Sequence, residues 1–365
     1  MPGKTENRIK IGIIGASGLT AGILLKLLAN HKYADVVLLI SNSQPDIDIG
    51  EIHKFLKNIF NIKTVKYDPD QVIDNCNCVF LSKNHGEFQE ETSKLVDKAL
   101  EKKANIKFID LSADFRLKDI SLYETWYHFK HTNADLLQKA VYGLPEVNYQ
   151  KIKEAFFIAN PGCYPTCTIL SVAPLFVNNF VDANAGIIVD AISGVSGAGK
   201  KINGRNLAMD IESNIKAYKI GIHPHTPEIK QELEFLMQGK IKSVLLVPHV
   251  ASFKYGMITT TYLNLSKKLS QDEILERYHD FYKEKPFIRI YKKGEYPEIQ
   301  NVEGTNFCDI GIQLHEKTNT CIVIGCIDNV IKGAVGQAIQ NMNIMFGLNE
   351  TEGLPFADVL SKNLS

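Results

Sequence analysis

The sequence predicts an α/β protein in which a doubly wound parallel sheet is joined to an α+β part with a mixed, largely antiparallel sheet. The chain has 365 residues, a length typical of two domains. In its first third, short apolar runs alternate with segments of helical period, as expected for repeated strand–helix–strand units. Beyond residue 162 the apolar runs instead alternate with hydrophilic segments, which favours strands with antiparallel neighbours.

Four apolar runs predict the strands of the parallel sheet. A β-branched run at residues 8–14 ends at Gly15 and is followed by apolar residues at helical spacing. Three later runs are nearly continuous in apolar character, as is typical of parallel strands, and lie at residues 36–41, 78–82 and 107–112. An amphipathic helix is predicted between the last two runs, over residues 90–102.

The second part is predicted to contain several strands and one well-marked helix. The apolar runs lie at residues 186–193, 242–250, 257–265, 287–291, 308–314 and 320–327. A helix is predicted over residues 269–284, with Ser270 as N-cap and Glu273 three positions later. Helical period returns at residues 334–347, and we expect this last helix to pack on the first domain. The predicted domains are therefore residues 1–162, completed by 330–365, and residues 163–329.

Composition argues against two classes of partner. Lys+Arg and Asp+Glu both number 41, so the net charge is zero and no global positive field attracts nucleic acid or anionic lipid. No apolar stretch is long enough to span a bilayer, and no secretory segment opens the sequence. Seven cysteines cannot all pair within the chain. We therefore expect a cytoplasmic protein with free thiols, and no nucleic-acid or membrane partner.

A glycine-rich turn joins the first predicted strand to the first helix. The pattern G-x-x-G-x-x-G allows positive φ angles and close approach of backbone amides to a pyrophosphate. The helix N-terminus adds unpaired N–H groups and a partial positive charge. These features favour a Rossmann-type dinucleotide site over a turn without a ligand. The residues expected to contact the dinucleotide are Gly12, Gly15, Ser17, Gly18, Leu19 and Thr20.

The end of the second strand bears on the choice of cofactor. An acidic residue there would hold the ribose hydroxyls of NAD, but the segment contains Ser41 and Ser43 instead. Hydroxyl groups suit a 2′-phosphate better, so the sequence predicts NADP. No arginine is present at this point to pair with that phosphate.

The octapeptide at residues 159–166, ANPGCYPT, contains the candidate nucleophile. Asn-Pro-Gly predicts a turn and the residues after Cys163 predict a helix, so this thiol lies at or near a helix N-terminus. The helix dipole stabilises a thiolate there, and a thiolate is a nucleophile. The alternative is a buried structural cysteine, which is the expectation for Cys167 one turn later.

Taken together, these segments identify a family resemblance. The sequence resembles the N-acetyl-gamma-glutamyl-phosphate reductases of arginine biosynthesis over nearly its whole length. The segments that support the resemblance are GASGLT at 15–20, DLSADFR at 110–116, YGLPE at 142–146, NPGCYPT at 160–166, SGVSGAGK at 193–200, HTPEI at 225–229, CDIG at 308–311 and DNVIKGAVGQAIQNMN at 328–343.

The resemblance implies NADPH-dependent reduction of a small-molecule acyl phosphate to an aldehyde through a thioester on Cys163. It assigns the base to His225 and an orienting role to the carboxylate of Glu228. Without it, His223 and His225 would be interpreted as solvated loop residues. The H-x-H and C-x-C spacings offer too few ligands for zinc, so no metal is expected. We also expect a homodimer or homotetramer.

Further contacts are assigned from residue chemistry and from the resemblance. Arg116 is a candidate bidentate partner for a carboxylate or phosphate, with a surface salt bridge as the alternative. The expected substrate contacts are Arg116, Ser193, Ser196, Lys200 and His223. Beyond the glycine turn and the two serines, the expected cofactor contacts are His85, Asn329 and Gln337.

Three positions depart from the family pattern. Pro224, Lys200 and Tyr255 each occupy a place where the family usually has arginine. On a strand, Lys254 and Tyr255 would point to opposite faces, so the lysine could replace the missing guanidinium only if the segment is a loop or bulge, which Gly256 makes possible. These departures leave other acyl groups open, namely N-succinyl-glutamyl, aminoadipyl or aspartyl phosphate. A non-catalytic NADP-binding regulator is the alternative of a different class.

Overall fold

The computed structural model describes residues 8–198 and 214–356. These residues form two compact units. The first unit contains residues 8–161 and 335–354, and the second contains the described residues from 162 to 334 together with 355–356. Each unit is built around its own sheet.

The first unit contains a six-stranded sheet in the order β2-β1-β3-β4-β6-β5, in which every neighbouring pair is parallel. The strands are β1 (Ile9–Ile14), β2 (Ala34–Ile40), β3 (Cys78–Leu81), β4 (Lys107–Asp110), β5 (Val141–Tyr142) and β6 (Phe157–Ala159). The predicted Rossmann-type parallel sheet is thus confirmed. Because β1 lies between β2 and β3, the carboxyl ends of these three strands meet at one edge of the sheet.

Eight helices belong to the described part of the first unit. They are α1 (Leu19–Leu28), α2 (Ile49–Ile52), α3 (Pro69–Asn75), α4 (Gln89–Glu101), α5 (Ser121–Tyr127), α6 (Ala134–Lys139), α7 (Pro145–Glu154) and, from the C-terminal part of the chain, α11 (Gly336–Met345). The Asn341 side chain of α11 donates 2.8 Å to the Gly143 carbonyl, and Gln340 donates 3.1 Å to Glu146 Oε1. These buried bonds attach the late helix to the first unit.

The second unit contains a seven-stranded mixed sheet in the order β11-β12-β13-β10-β7-β9-β8. The strands are β7 (Ile187–Gly194), β8 (Ile215–Ala217), β9 (Val244–Ala251), β10 (Met257–Asn264), β11 (Ile288–Ile290), β12 (Cys308–His315) and β13 (Thr320–Ile327). Only β11–β12 and β7–β9 are parallel pairs, so the largely antiparallel sheet is confirmed.

Among its described residues, three helices cover this sheet: α8 (Cys163–Val177), α9 (His225–Met237) and α10 (Gln271–Tyr282). The α10 helix begins with the predicted capping box, because the Ser270 hydroxyl accepts from the Glu273 amide and the Glu273 carboxylate accepts from the Ser270 amide. Buried hydrogen bonds from Tyr278 and Tyr282 to carbonyls of α8 fix the two helices together.

Some elements of the fold were missed by the sequence prediction or left open by it. The missed strands β5, β6 and β8 contain two, three and three residues, too few to show any periodicity. A strand and a loop were both open for the segment at Tyr255, and the structure has the loop, because β9 ends at Ala251 and β10 begins at Met257. Tyr255 therefore lies in the connecting loop, where the Lys254 ammonium is 5.0 Å from the centre of its ring.

None of the helices within the described ranges has the length and apolar character needed to cross a membrane. A search of the same residues finds no group of three or more His, Cys, Asp or Glu side chains placed to hold a metal ion.

Candidate active site

The glycine turn after β1 has the geometry of a phosphate-binding turn. Gly15 adopts φ +92°, and a Cβ at this position would lie 2.1 Å from the Ser82 carbonyl oxygen, so only glycine fits. The Gly18 amide donates 3.0 Å to the Gly15 carbonyl, and Gly18 is the N-cap of α1. Leu19 and Thr20 form the first turn of that helix, so the backbone N–H groups at its start face the turn.

Gly12 is the exception among the predicted turn residues. It lies inside β1, where a Cβ would come within 2.7 Å of Cys76 Sγ. The glycine is therefore needed for close packing of the strand against the end of α3, and cofactor contact by Gly12 stays a prediction.

A cavity of about 160 Å³ opens at the carboxyl ends of β1, β2 and β3. Three predicted cofactor residues form a row of hydroxyls along it, since Ser41 Oγ lies 3.0 Å from Ser17 Oγ and 3.3 Å from Ser43 Oγ. The full lining is Ile14, Gly15, Ser17, Ile40, Ser41, Asn42, Ser43, Tyr67, Lys83 and Phe88. No carboxylate is part of it. This edge of a doubly wound sheet is where dinucleotides bind, and the turn and cavity fit one.

Beyond the serines, four lining residues are polar or aromatic, and the sequence singled out only Asn42 among them, for its amide next to Ser41 and Ser43. Asn42 accepts 2.9 Å from the Tyr67 amide, which fixes the end of β2 to the segment before α3. Tyr67 and Phe88 pack edge to face, with ring centres 5.0 Å apart, and form the aromatic wall. Lys83 follows β3 and contributes the cation that the sequence near Ser41 lacks.

His85 and Gln337 are placed in the first unit, but outside the cavity lining. His85 is exposed and packs its ring edge against Tyr127 at 5.3 Å between centres. The following amide, of Gly86, donates 2.7 Å to Asp114 Oδ1. Gln337 is fully buried in α11. Cofactor contact by His85 and Gln337 stays a prediction.

The DLSADFR segment forms a tightly bonded loop after β4. Arg116 is buried, and its guanidinium donates 2.8 Å to the Asn160 carbonyl and 3.1 Å to the Leu111 carbonyl. Burial raises the pKa of both Asp110 and Asp114, and the charge of Asp110 raises the pKa of Asp114 further. The bonds of Arg116 to backbone carbonyls give it a structural role in the loop, and its contact with substrate stays a prediction.

In the second unit, Cys163 is the first residue of α8, with Gly162 as N-cap. The cysteine is half-buried, and the turn before it is fixed from both sides. The Gly162 amide donates 2.8 Å to Glu228 Oε1, and the Gly162 carbonyl accepts 2.9 Å from Thr166 Oγ1. The thiol therefore lies at the positive end of a helix whose start is held by a buried carboxylate.

The two histidines lie together at the start of α9. His225 is its first residue, and its amide donates 3.1 Å to His223 Nδ1. The ring centres are 4.7 Å apart. Burial, with a smaller effect of the Lys219 charge, lowers the pKa of His223 to about 3. His223 is therefore neutral at physiological pH and takes up a proton with difficulty.

Two tyrosines complete the surroundings of the histidines, and the sequence did not single them out. Tyr164 lies edge-on to both rings, with centres 5.3 Å from His223 and 5.8 Å from His225. Its hydroxyl is 3.0 Å from that of Tyr218. Burial raises the pKa of Tyr218 to about 12 and that of Tyr164 further. Both phenols therefore stay protonated. The sequence could have indicated Tyr164 as a site residue, because it directly follows Cys163, but it contains no such indication for Tyr218.

Ser193, Ser196 and Asn329 form a second cluster in this unit. Ser193 is the second-last residue of β7, and Asn329 follows β13. The Asn329 side-chain amide donates 3.0 Å to Ser196 Oγ, while its carbonyl oxygen accepts 2.8 Å from the Gly256 amide. These bonds join the serine loop to the loop that contains Tyr255. Lys200 lies outside the described residues.

Cys167 and Gly333 lie close to Cys163, and each shows how the surroundings of this cysteine are built. Cys167 is fully buried with Sγ 3.2 Å from Thr259 Oγ1, and burial raises the pKa of its thiol to about 12, so its predicted structural role is confirmed. Gly333 packs directly on Cys163, because a Cβ on the glycine would lie 2.8 Å from the cysteine Cβ. The π-helical turn at Ile331–Val335 places this glycine.

Comparison with known proteins gives matches along both units. Residues 10–155 match the family described as semialdehyde dehydrogenase, NAD binding domain, and residues 163–329 match semialdehyde dehydrogenase, dimerisation domain. N-acetyl-gamma-glutamyl-phosphate reductase of Campylobacter jejuni is 41% identical over 96% of this chain and 98% of its own length. The enzyme of the same name from Desulforudis audaxviator is 38% identical over 95% and 98%.

Solved structures share the fold at lower identity. The crystal structure of aspartate semialdehyde dehydrogenase with NADP from Candida albicans has a TM-score of 0.65 and 16% identity, and the match covers 93% of this chain and 98% of that one.

Proposed function

The chain belongs to the N-acetyl-gamma-glutamyl-phosphate reductase family, and on that premise we propose that it reduces N-acetyl-glutamyl 5-phosphate to N-acetyl-glutamate 5-semialdehyde with NADPH. The reaction belongs to arginine biosynthesis, and we place it in the cytoplasm. The observation that supports the proposal most strongly is the half-buried Cys163 at the first position of α8, in a turn that Glu228 fixes.

The first chemical step uses the thiolate of Cys163. Its sulfur attacks the carbonyl carbon of the acyl phosphate, a C–S bond forms, and the C–O bond to phosphate breaks. The bonding electrons leave with the phosphate, so the product on the enzyme is a thioester. The N-terminal end of α8 favours the anionic sulfur throughout, because the helix dipole is positive at this end.

The second step returns the thiolate and releases the aldehyde. NADPH, when bound, supplies the hydride that reduces the thioester carbonyl. The resulting oxyanion takes a proton, and that proton leaves again as the C–S bond breaks and the sulfur departs with its electrons. We assign the proton transfers to His225. His223 is unsuited because its pKa is about 3, and its Nδ1 already accepts from the His225 amide.

Cofactor binding is assigned to the first unit. The amides of Gly15 and Gly18 donate to the carbonyls of Ile40 and Gly15, so the turn offers the pyrophosphate mainly the N-terminus of α1, at Leu19 and Thr20. Ser17, Ser41 and Ser43 offer hydroxyls at the adjacent cavity. The likeness to a semialdehyde dehydrogenase structure determined with NADP supports the choice of NADP, together with the lack of a carboxylate in the lining.

The acyl group is the part of the substrate with a specific alternative. Pro224 and Tyr255 stand where arginines were expected, and Tyr255 is buried. Lysine is not a bidentate fork, so Lys254 next to Tyr255 does not reproduce an arginine contact. The same chemistry on an N-succinyl-glutamyl, aminoadipyl or aspartyl phosphate is therefore the second candidate.

The test runs the reaction in reverse, because semialdehydes are more stable than acyl phosphates. Wild-type protein with N-acetyl-glutamate semialdehyde, phosphate and NADP should produce NADPH, seen as rising absorbance. The N-succinyl, aminoadipate and aspartate semialdehydes run in parallel decide the acyl group. Absence of NADPH with every aldehyde, from protein that binds the cofactor, would favour the non-catalytic regulator.

We also propose a homo-oligomer formed through the second unit. The helices α8 and α9 pack against the sheet on one face, and the strands expose apolar side chains on the other. Ile188, Leu245 and Tyr262 are 47%, 43% and 38% exposed, and Ile188 is opposite both others in the strand register. Such a contiguous apolar patch is typical of a protein interface, and the matched family is described as a dimerisation domain.

Sedimentation of wild type and Ile188→Asp at the same concentration tests this interface. The wild type should sediment as a dimer or tetramer. The variant should shift towards monomer, because a buried unpaired carboxylate is costly. An unchanged sedimentation coefficient of Ile188→Asp would place the interface elsewhere.

A further inference from the structure

The cavity at the ends of β1, β2 and β3 contains a cation that comes from a distant part of the sequence. Lys83 is two residues beyond the end of β3, whereas the hydroxyls of Ser41 and Ser43 follow β2. All three line the same cavity of about 160 Å³. Parallel pairing of β1 with both other strands brings these segments together.

Contacts of the aliphatic stem and of the ammonium define where the Lys83 side chain lies. Its Cδ would be 3.1 Å from a Cβ on Gly15, so the aliphatic stem crosses the phosphate-binding turn. Its ammonium is 5.7 Å from the centre of the Phe88 ring, on the aromatic wall of the cavity. No carboxylate of the described residues forms an ion pair with Lys83. Its positive charge is therefore available to a bound anion.

The hydroxyl row on the opposite wall is suited to the same anion. Ser41 Oγ lies within 3.3 Å of the hydroxyls of both Ser17 and Ser43, and each hydroxyl can rotate to donate to a ligand. Carboxylates of Asp68 and Glu91 act on the neighbouring Tyr67, whose pKa burial raises to about 12. Tyr67 therefore stays a neutral phenol. The lining thus combines one cation, several hydroxyl donors and no acidic acceptor for a ribose hydroxyl.

We propose that Lys83 is the residue that selects a dinucleotide with a phosphate on its adenosine ribose, by pairing with that 2′-phosphate. The selection rests on the proposed function, since it requires a nicotinamide dinucleotide in the first unit. It replaces the usual arrangement, in which the residue that reads the ribose follows the second strand. Here the hydroxyls after β2 hold the phosphate oxygens, and the charge comes from the segment after β3.

The expected size of the effect follows from the loss of one charge-assisted contact. Removing it should weaken binding of a 2′-phosphorylated ligand about ten- to a hundredfold. Binding of a ligand without that phosphate should change less than about twofold, since its other contacts are kept. The preference should decrease only slightly as salt is added, because Lys83 is half-buried and salt screens such an ion pair less than an exposed one.

The experiment compares four proteins by calorimetric titration: wild type, Lys83→Met, Lys83→Arg and Lys94→Met. Methionine keeps the length of the stem and removes the charge. Lys94 is a control of the same unit and charge, and its ammonium is paired with Glu90 at 2.7 Å outside the cavity lining. The ligands are adenosine 2′,5′-bisphosphate and adenosine 5′-monophosphate, followed by NADPH and NADH.

Lys83→Met should lose about ten- to a hundredfold in affinity for adenosine 2′,5′-bisphosphate and NADPH, and little for the monophosphate and NADH. Lys83→Arg and Lys94→Met should resemble wild type. An equal loss for all four ligands, or no loss for any, overturns the inference. Wild type that binds NADPH and NADH equally overturns it while the proposed reductase stands, whereas wild type that binds neither dinucleotide overturns both.

Discussion

In the second unit the side chains proposed for catalysis come from the starts of two helices, whereas in the first unit the cavity lining comes from the ends of three strands. Cys163 and His225 each begin a helix; Glu228, on the same helix as His225, holds the turn before Cys163, and His223 accepts from the His225 amide. The cofactor cavity instead combines the segments at residues 15–17, 41–43 and 83–88, with Tyr67 between them. Short motifs therefore contain most of the residues proposed for catalysis in the second unit. In the first unit, only the topology of the sheet brings the residues of the cavity lining together.

The largest expected effect tests whether the catalytic site is separable from the cofactor site. Cys163→Ala should lower kcat by about 10⁴-fold or more, because no nucleophile remains to form the thioester. Affinity for NADPH, measured by fluorescence titration, should stay within about twofold, because the cavity residues belong to the other unit.

Cys167→Ala is the matched control for this change. Cys167 is on the same helix but fully buried against Thr259 and Gly325. It should lose folding stability, by about 1 kcal/mol or more for the small cavity, and keep its activity per folded molecule. Comparable loss of kcat in both variants would contradict the assignment of the nucleophile.

The next effect separates the two histidines. His225→Asn should lower kcat by about 10²–10⁴-fold, the usual contribution of a general acid–base group, and should remove the limb that this group gives to the pH profile of kcat/KM. His223→Asn should keep that limb, because the pKa of about 3 leaves His223 neutral across the assay range. If His223→Asn abolishes the limb instead, the roles are reversed.

The lowered pKa of His223 has a second consequence, for stability. The unfolded chain takes up this proton below about pH 6.5, whereas the folded chain takes it up only near pH 3. Wild type should therefore lose free energy of unfolding as pH falls through this window, and His223→Asn should lose less of it. Urea denaturation at several pH values measures the difference.

The contrast between the units also explains what the sequence could predict. Strands of four to eight residues and the helix start at Cys163 were predictable, because period and turn residues are local signals. The strand β6, with three residues, has no readable period. Lys83 could not be placed beside Ser41 either, since this requires β1 to pair with both β2 and β3.

Gly12 and Tyr255 show the limit of reading a pattern position by position. The spacing of Gly12 matches a phosphate-binding turn, yet the residue serves the packing of β1 on Cys76. Tyr255 lies between two strong strand signals, yet Gly256 adopts φ +102° and the segment is a loop. In both cases tertiary contacts decide a role that local spacing leaves open.

A smaller effect tests how far the nucleophile depends on packing rather than on its own motif. Gly333→Ala places a methyl group 2.8 Å from Cys163 Cβ, closer than two carbon atoms approach, so the start of α8 has to shift. Misplacement of a reacting group by about 1 Å costs up to about a hundredfold. We expect kcat to fall about ten- to a hundredfold, together with the rate of Cys163 alkylation.

Gly239→Ala is the control for this substitution. Gly239 follows α9 in the same unit, and a Cβ there meets only Met237, at 3.5 Å. Its kcat and alkylation rate should match those of wild type. Normal activity of Gly333→Ala at an unchanged Tm would show that the cysteine motif suffices without this contact.

The smallest expected effect concerns the loop in which Tyr255 occupies the place of an arginine that is usual in the family. The Lys254 carbonyl accepts 3.1 Å from the Ser196 amide, so the loop is attached to the serines proposed to contact substrate. The Lys254 ammonium is exposed and lies over the Tyr255 ring. If it supplies the charge that the arginine would have given, Lys254→Met should raise KM for the anionic acyl phosphate and leave kcat unchanged. An exposed charge contributes about 0–1 kcal/mol, so the rise should be about fivefold or less.

Lys267→Met is a matched control, because this exposed ammonium also lies over an aromatic ring, 4.6 Å from the centre of Phe180, in the same unit. Equal KM values for the two variants would show that Lys254 only covers Tyr255. A parallel fall in kcat would instead mean that the loop positions Ser196 and Asn329, and that the second unit, like the first, depends on a contact between distant segments.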